Sequence, residues 1–501
     1  MTDRTHTGVL KRCHDIDFEV LCGYAGSELL IGGDWRTASD GATFDVTDPA
    51  TGSTIASVSN ATTDDAVAAA DAATAAGPEM AAMSPRMRAM LLQSAFETVN
   101  DHRDILVQLM SLEMGRSLSE SQGELNYGAE FLRWFAGEAE RLQGDSRISP
   151  DGTNRVMVTA QPVGPSILVT PWNFPLAMLT RKLAPAWAAG CTAIAKPAPE
   201  TPLTALYFAR LMDELDAPDG AFNVVTTTRA PEVVATLIDH PGTRKISFTG
   251  STAVGRLLAA HAGTNLMRCS LELGGNAPLL VFEDADLDRA VEGAYLAKMR
   301  NMGEACTAAN RFVVHESIAE RFTDAFRERI RDLQLGHGHA EATDLGPLIT
   351  PAAVARVGQL VDEALAAGAS VALEGGPVEG DGNFFAPMIL ADVTPDARIL
   401  HEEIFAPVVT ITTFVDDDEA IRIANDTDYG LVAYVFTSDI DRGLSVAERL
   451  DAGMVGLNRG LVSNVAAPFG GIKDSGIGRE GGREGIWEYL DRKYIAIDRV
   501  G

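Results

Sequence analysis

Apolar residues fall along this chain in two kinds of run. At residues 62–74 and 87–112 they recur three and four apart in Ala- and Leu-rich stretches, which predicts helices. The first stretch opens on Thr62-Thr63-Asp64-Asp65, residues that suit an N-cap. From Pro162 the texture changes. Short apolar runs at 166–170, 191–195, 222–225, 245–248 and 278–282 alternate with helix-spaced stretches such as 179–189 and 204–215. That alternation predicts βαβ units and a parallel sheet. A second series runs from 287 to 455, with strand candidates at 311–314, 371–373, 408–414 and 432–436. The predicted fold class is α/β, with two doubly wound parallel-sheet domains. Residues 29–54 predict short strands around the turn Asp48-Pro49-Ala50-Thr51-Gly52. Lys493-Tyr494-Ile495-Ala496-Ile497 predicts a late strand, and residues 1–28 show no period and read as an extension.

The length of 501 residues suits two or three domains. With 46% hydrophobic and 22% charged residues, the composition excludes a disordered or fibrous class. The 41 Lys+Arg stand against 70 Asp+Glu, a net charge of −29, which argues against a nucleic-acid partner. No apolar run approaches the ~18 residues of a membrane span. The first residues lead into no long apolar core, so neither a membrane partner nor a signal peptide is expected. The cysteines are Cys13, Cys22, Cys191, Cys269 and Cys306, an odd number with no C-x-x-C pair. No disulfide framework or metal site is expected, and a reducing cytoplasm is the natural compartment.

Two glycine patterns compete as a phosphate cradle. Gly476, Gly478 and Gly481 spell G-x-G-x-x-G, but they follow the polar Lys473-Asp474-Ser475 and leave no room for a βαβ unit. They read as a tight loop with positive-φ positions. Phe248-Thr249-Gly250-Ser251-Thr252-Ala253-Val254-Gly255 follows a strand candidate and can open a helix. Gly250 permits the turn, and N–H groups at the helix start can hold a pyrophosphate. A plain structural βα turn remains the alternative.

Three residues carry candidate chemistry. Cys306 follows small and polar residues in Asn301-Met302-Gly303-Glu304-Ala305, unlike a core cysteine. Glu272 lies between leucines in Leu271-Glu272-Leu273-Gly274-Gly275-Asn276, where a carboxylate is costly unless used or paired. Asn173, in Pro171-Trp172-Asn173-Phe174-Pro175, offers an amide at a strand end that can donate to an oxyanion. The bland alternatives are a buried small hydrophobe, a salt-bridged strand residue and a turn asparagine.

Together these segments resemble the aldehyde dehydrogenase superfamily. The resemblance rests on residues 170–175, Lys196-Pro197-Ala198, 248–255, 271–276, 303–306, 402–407 and Pro468-Phe469-Gly470-Gly471, and covers residue 29 to the C-terminus. It implies that Cys306 is the nucleophile, forming a thiohemiacetal and then a thioester. It implies that Asn173 and the Cys306 N–H stabilise the oxyanion, and that Glu272 activates water. Lys196 matches a contact to the adenosine ribose and Ser251 one to the pyrophosphate. Trp172, Pro199, Gly250 and Val254 join the implied cofactor site, with Glu403 and Phe405 around the nicotinamide. The implied overall reaction is aldehyde plus NAD(P)+ plus water to carboxylate plus NAD(P)H.

The implied domains are a dinucleotide-binding unit at 29–144 and 163–274, and a catalytic unit at 275–484. An oligomerisation element at 145–162 and 485–501 accompanies a homodimer or homotetramer. The chain is most similar to the succinate-semialdehyde dehydrogenases. There Arg181 and Arg300 match binders of the substrate carboxylate, and Ser463 and Asn464 stand in the facing loop. Arg chemistry fits, because a guanidinium grips a carboxylate with two bonds. Pairing with a structural carboxylate is the alternative for each arginine. Glutarate semialdehyde, an uncharged aldehyde and a non-catalytic protein on this fold are the rival readings, the last opposed by the joint presence of Cys306, Glu272 and Asn173.

Four positions depart from the pattern, one of them Asn464, where some members of the branch carry a second serine. Glu304 replaces a frequent Gln and is expected to point away from the sulfur. Ala308 replaces a second cysteine, so no disulfide switch is expected. Pro199 stands where NAD-preferring members carry Glu, with Glu200 displaced by one, which makes NADP+ acceptable. Arg229 reads first as a surface residue and second as a neighbour of a 2′-phosphate.

Overall fold

The computed structural model describes residues 17–498; Cys13 and residues 1–16 and 499–501 lie outside the described residues. Local chemistry explains where elements begin. Thr62 caps the helix Thr63–Ala82 through a reciprocal box: its hydroxyl accepts from the Asp64 and Asp65 N–H groups, and the Asp65 carboxylate accepts from the Thr62 N–H at 2.9 Å. The helices Pro175–Ala189 and Pro202–Asp213 each start on proline, whose missing N–H has no partner there to lose.

Eight strands form the first sheet, in the order Asp34–Arg36, Leu29–Ile31, Phe222–Val224, Ala193–Lys196, Ser166–Val169, Lys245–Thr249, Arg268–Glu272 and Gly476–Ile477. The five central strands are parallel. The strands at both margins run antiparallel, so the sheet is mixed at its edges. The strand order reverses between Ser166–Val169 and Lys245–Thr249, which places a ligand crevice at their C-terminal ends. A second sheet of seven strands centres on Ala277–Val281, Ala309–His315 and Val408–Phe414, parallel apart from its Ser370–Leu373 edge. In a third, antiparallel sheet Leu490–Asp498 pairs along its whole length with Asn154–Pro162, which also pairs with Asp145–Ile148.

Two expectations are corrected. The stretch 87–112 is two helices, Pro85–Asp101 and Arg103–Met114, broken at His102. There the backbone leaves the helical region and the imidazole Nδ1 meets the Tyr207 hydroxyl at 2.7 Å. The reading of 1–28 as an aperiodic extension fails over its described part. Asp17 caps a helix, Phe18–Ala25, whose Leu21, Cys22 and Ala25 join the core. Two turns are too short to display a period. The helix Leu118–Glu140, which the periodicity reading did not single out, packs against Pro175–Ala189.

Candidate active site

The crevice is a cleft of about 210 Å³ that gathers Trp172, Asn173, Gly250, Ser251, Glu272, Cys306, Glu403 and Phe405. Its walls follow from the topology. Pro171, Trp172 and Asn173 continue from the strand Ser166–Val169, Gly250 and Ser251 continue from Lys245–Thr249, and Glu272 ends its own strand. Cys306 arrives from the other sheet, on the loop before Ala309–His315.

At the deep end Cys306 is half-buried. Burial pushes its thiol up to about 12, opposed by Arg181 and Arg300 and reinforced by Glu403 and Glu272. The Glu272 carboxyl is pushed well above its usual range by burial and by Glu480, and its Oε2 has no hydrogen-bond partner. Such a group keeps its proton to higher pH than an ordinary carboxyl and becomes a base as pH rises. Asn173 donates from Nδ2 to the Glu304 carbonyl at 3.0 Å, which leaves the amide's second N–H free. The Glu304 carboxyl turns away from the sulfur: Oε1 accepts from the Ile349 N–H at 3.2 Å.

At the outer end Ser251 caps the helix Thr252–Thr264, its Oγ accepting from the Val254 N–H at 3.4 Å, and the Val254 side chain is exposed. Lys196 is buried at the end of its strand, with no carboxylate within 4 Å among the described residues. Burial lowers its pKa to about 8, partly opposed by Glu200. Pro199 and Glu200 follow, both half-buried. Phe405 is held at φ 56° and meets Trp172 edge-on at 5.5 Å. The Glu403 Oε1 accepts from the Gly275 N–H at 3.1 Å, and burial pushes the carboxyl up to about 7.

A dinucleotide fits these residues. The Thr249 Oγ1 is buried in the cleft without a partner, Lys196 is an unpaired cation, and a Cβ on Gly250 would press into the Phe248 ring. Arg229 is paired with Asp40 at 2.8 Å. Among the described residues no group of His, Cys, Asp and Glu is arranged to hold a metal, and no helix is long and apolar enough to cross a membrane.

The anticipated carboxylate binders behave differently from one another. Arg181 is fully buried behind the cleft, 2.6 Å from Glu480 and stacked over the Phe469 ring. Lys182 meets the other oxygen of Glu480 at 2.5 Å. Burial opposes all three charges, yet the two cations hold Glu480 below the usual carboxylate range. Arg300 is half-buried over the Phe174 ring, bonded only to the Thr307 hydroxyl at 3.3 Å, with no carboxylate within 4 Å among the described residues. Ser463 is half-buried, and exposed Asn464 turns its Oδ1 onto the Ala466 N–H at 2.9 Å. None of the four, Arg181, Arg300, Ser463 or Asn464, lines the cleft itself. The rejected glycine motif lies beside it, with Gly476, Gly478 and Gly481 all at positive φ and Gly476 paired to Glu272 across the strands.

Sequence reasoning missed Arg116, Glu124 and Glu480. One signal was available: Glu120, Glu124 and Tyr127 share a helix face at i, i+4 and i+7.

The chain is 52% identical over 443 residues to a succinate-semialdehyde dehydrogenase of Paenarthrobacter nicotinovorans, covering 88% of this chain and 98% of that one. It is 44% identical over 470 residues to a glutarate-semialdehyde dehydrogenase of Pseudomonas putida, covering 94% and 97%. A crystal structure described as an E. coli NADP dependent enzyme superposes with a TM-score of 0.93 at 44% identity, covering 94% and 98%. The model of the aldehyde dehydrogenase family matches residues 35–495, and the chain belongs to that family.

Proposed function

We propose that the chain oxidises an aldehyde bearing a distal carboxylate, with succinate semialdehyde as its substrate, using NAD(P)+. One observation carries the substrate class: Arg300 stands over Phe174, six residues before Cys306, with no carboxylate within 4 Å among the described residues. A half-buried guanidinium with donors to spare beside an aromatic wall is suited to grip a carboxylate through two bonds. Arg181, shared with Glu480, reinforces the positive field behind the sulfur. Ser463 and Asn464 form the polar loop that this reading places at the carboxylate. The Paenarthrobacter relative's name supports the reading.

The chemistry follows from the residues. The Cys306 thiolate attacks the aldehyde carbon, and the carbonyl oxygen becomes an anion. The free N–H of Asn173 and the Cys306 N–H face that oxygen, and one such donor contributes about 3–4 kcal/mol. As the C=O re-forms, hydride leaves the carbon and a thioester remains. A bound oxidised nicotinamide supplies the hydride acceptor. Glu272 in its deprotonated form takes a proton from water, which attacks the thioester and releases acid and thiol. Both Cys306 and Glu272 have raised pKa values, so activity rises with pH through the neutral range.

Lys196, Ser251 with Val254, Trp172, Glu403 and Phe405 hold the dinucleotide. With Pro199 in place of a carboxylate and Glu200 displaced by one, the element that repels a 2′-phosphate is moved, so NADP+ is accepted along with NAD+. The crevice-bearing sheet is the dinucleotide-binding unit (29–144 and 163–274), and the second sheet carries the catalytic unit (275–484). The three-stranded sheet is an oligomerisation element, making a homodimer or homotetramer. A cytoplasmic location suits the four described cysteines, none of them in a disulfide.

The test is initial rates with succinate semialdehyde, glutarate semialdehyde and butanal, each with NAD+ and NADP+. One charge-assisted contact predicts a kcat/KM advantage of about a hundredfold for a semialdehyde over butanal. Equal values for butanal would remove the carboxylate reading and leave an aldehyde dehydrogenase of another substrate.

A further inference from the structure

Three consecutive residues just before Cys306 occupy the left-handed region: Asn301 at φ 53°, Met302 at 54° and Gly303 at 76°. Glycine tolerates this, and a Cβ on Gly303 would strike the Ala406 carbonyl. For Asn301 and Met302 the conformation is strained and persists only where the surroundings fix it.

Buried polar contacts from distant segments fix it. The Asn301 N–H donates to Glu120 Oε1 at 2.6 Å. Its Nδ2 donates to the carbonyls of Asn173 at 3.2 Å and Glu304 at 2.9 Å. Arg116, wholly buried, donates to the same Asn173 carbonyl at 3.3 Å and to Asn301 Oδ1 at 3.4 Å. Its Nε donates to Ser121 Oγ at 3.1 Å, and its remaining nitrogen pairs with Glu124. Glu124 in turn accepts from the Leu176 and Ala177 N–H groups, both at 2.8 Å, at the head of the helix that follows Asn173. One guanidinium thus joins the Asn173 loop, the helix after it and the turn before the nucleophile. A pair needed only for stability would satisfy Arg116 with carboxylates; here the planar fork spends donors on a backbone carbonyl and an amide oxygen.

We propose that Arg116 is a positioning residue for aldehyde oxidation, acting through Asn173 and Asn301 to set the oxyanion-binding amide against the Cys306 turn. The inference rests on reading Cys306 as nucleophile and Asn173 as oxyanion donor.

The test is a double-mutant cycle in kcat. Arg116→Lys keeps the charge and loses the fork, so kcat falls about ten- to hundredfold with KM for NAD(P)+ within about twofold. In an Asn173→Ala background the same change lowers kcat less than about twofold, because the group it orients is gone. Asn301→Asp tolerates the left-handed turn and keeps the acceptor, yet loses both Nδ2 donors; the same fall in kcat is expected, and this variant carries the test if the lysine variant does not fold. An unchanged kcat, a full further loss in the Asn173→Ala background, or a loss confined to thermal stability overturns the proposal. A wild-type chain inactive on every aldehyde overturns the functional reading and this inference together. An active wild type with additive losses overturns this inference alone.

Discussion

The two ends of the cleft are built in opposite ways. The outer end has a local core: strand Lys245–Thr249, turn Gly250–Ser251 and helix Thr252–Thr264 follow one another, Ser251 caps the helix it begins, and Lys196, Trp172, Glu403 and Phe405 are added around it. The deep end has no continuous segment. Asn173, Glu272 and Cys306 come from three separate stretches, and Arg116, Arg181, Lys182, Glu124, Glu304 and Glu480 are all buried around them. Buried charges cost free energy unless paired, and replacing such pairs by apolar residues is often stabilising. Their concentration at one end of one cleft therefore points to chemistry. The outer end needs a shape; the deep end needs a field, and a field is assembled from afar.

The largest expected effect separates the two ends. Cys306→Ala should abolish oxidation, a loss of ~10⁴-fold or more, while the affinity for NAD(P)H followed by fluorescence stays within about twofold. Glu272→Gln should divide the deep end itself. Its steady-state rate falls ~10²–10⁴-fold, yet a stoichiometric burst of NAD(P)H survives, because the thioester forms before the base is needed. Loss of the burst would give Glu272 a part in the first step. Severalfold weaker cofactor binding in Cys306→Ala would show that the ends are one unit.

The same contrast governs what could be read from the sequence. The strands 408–414 and 432–436 match the observed Val408–Phe414 and Val432–Phe436, because buried parallel strands are continuous apolar runs. The Gly250 turn was visible because strand, glycine and helix lie side by side. Cys306, Glu272 and Asn173 stood out as polar residues in unexpected surroundings, and the family pattern gave them roles. Arg116 and Glu480 were invisible for the converse reason. Each looks like a surface charge in an acidic chain until the fold buries it, and Glu480 meets Lys182 across 298 residues. Arg181 shows the limit most clearly. Its position was anticipated, but its partner Glu480 lies in the glycine-rich segment set aside as a structural loop.

Next in size is a pH effect at the outer end. Burial holds Lys196 down at about 8, so its ammonium is charged below that pH and neutral above it. If it donates to the ribose, kcat/KM for the cofactor, which reports the free enzyme, should fall as pH rises through 8. Lys196→Met should remove that fall and lower kcat/KM about tenfold at pH 7, the size of one charge-assisted hydrogen bond. This decline opposes the rise expected from Cys306 and Glu272. Varying cofactor and aldehyde separately therefore gives slopes of opposite sign, and a shared slope would count against independent ends.

The smallest expected effect is the most exacting for a local outer end. Arg229 is the nearest unassigned cation that sequence reading offered to a 2′-phosphate. Its guanidinium is held by Asp40 at 2.8 Å, with both side chains about a third exposed. A pair of that kind contributes about 0–1 kcal/mol and can exchange partners cheaply. Lys196, by contrast, is buried at a strand end with no carboxylate within 4 Å among the described residues, whereas Arg229 would have to leave Asp40. Arg229→Ala should thus change the ratio of kcat/KM for NADP+ over NAD+ by less than about twofold. A tenfold drop, about 1.4 kcal/mol, would mean that the outer end also recruits charge from a distance, and the division between a shaped end and a charged end would have to be given up.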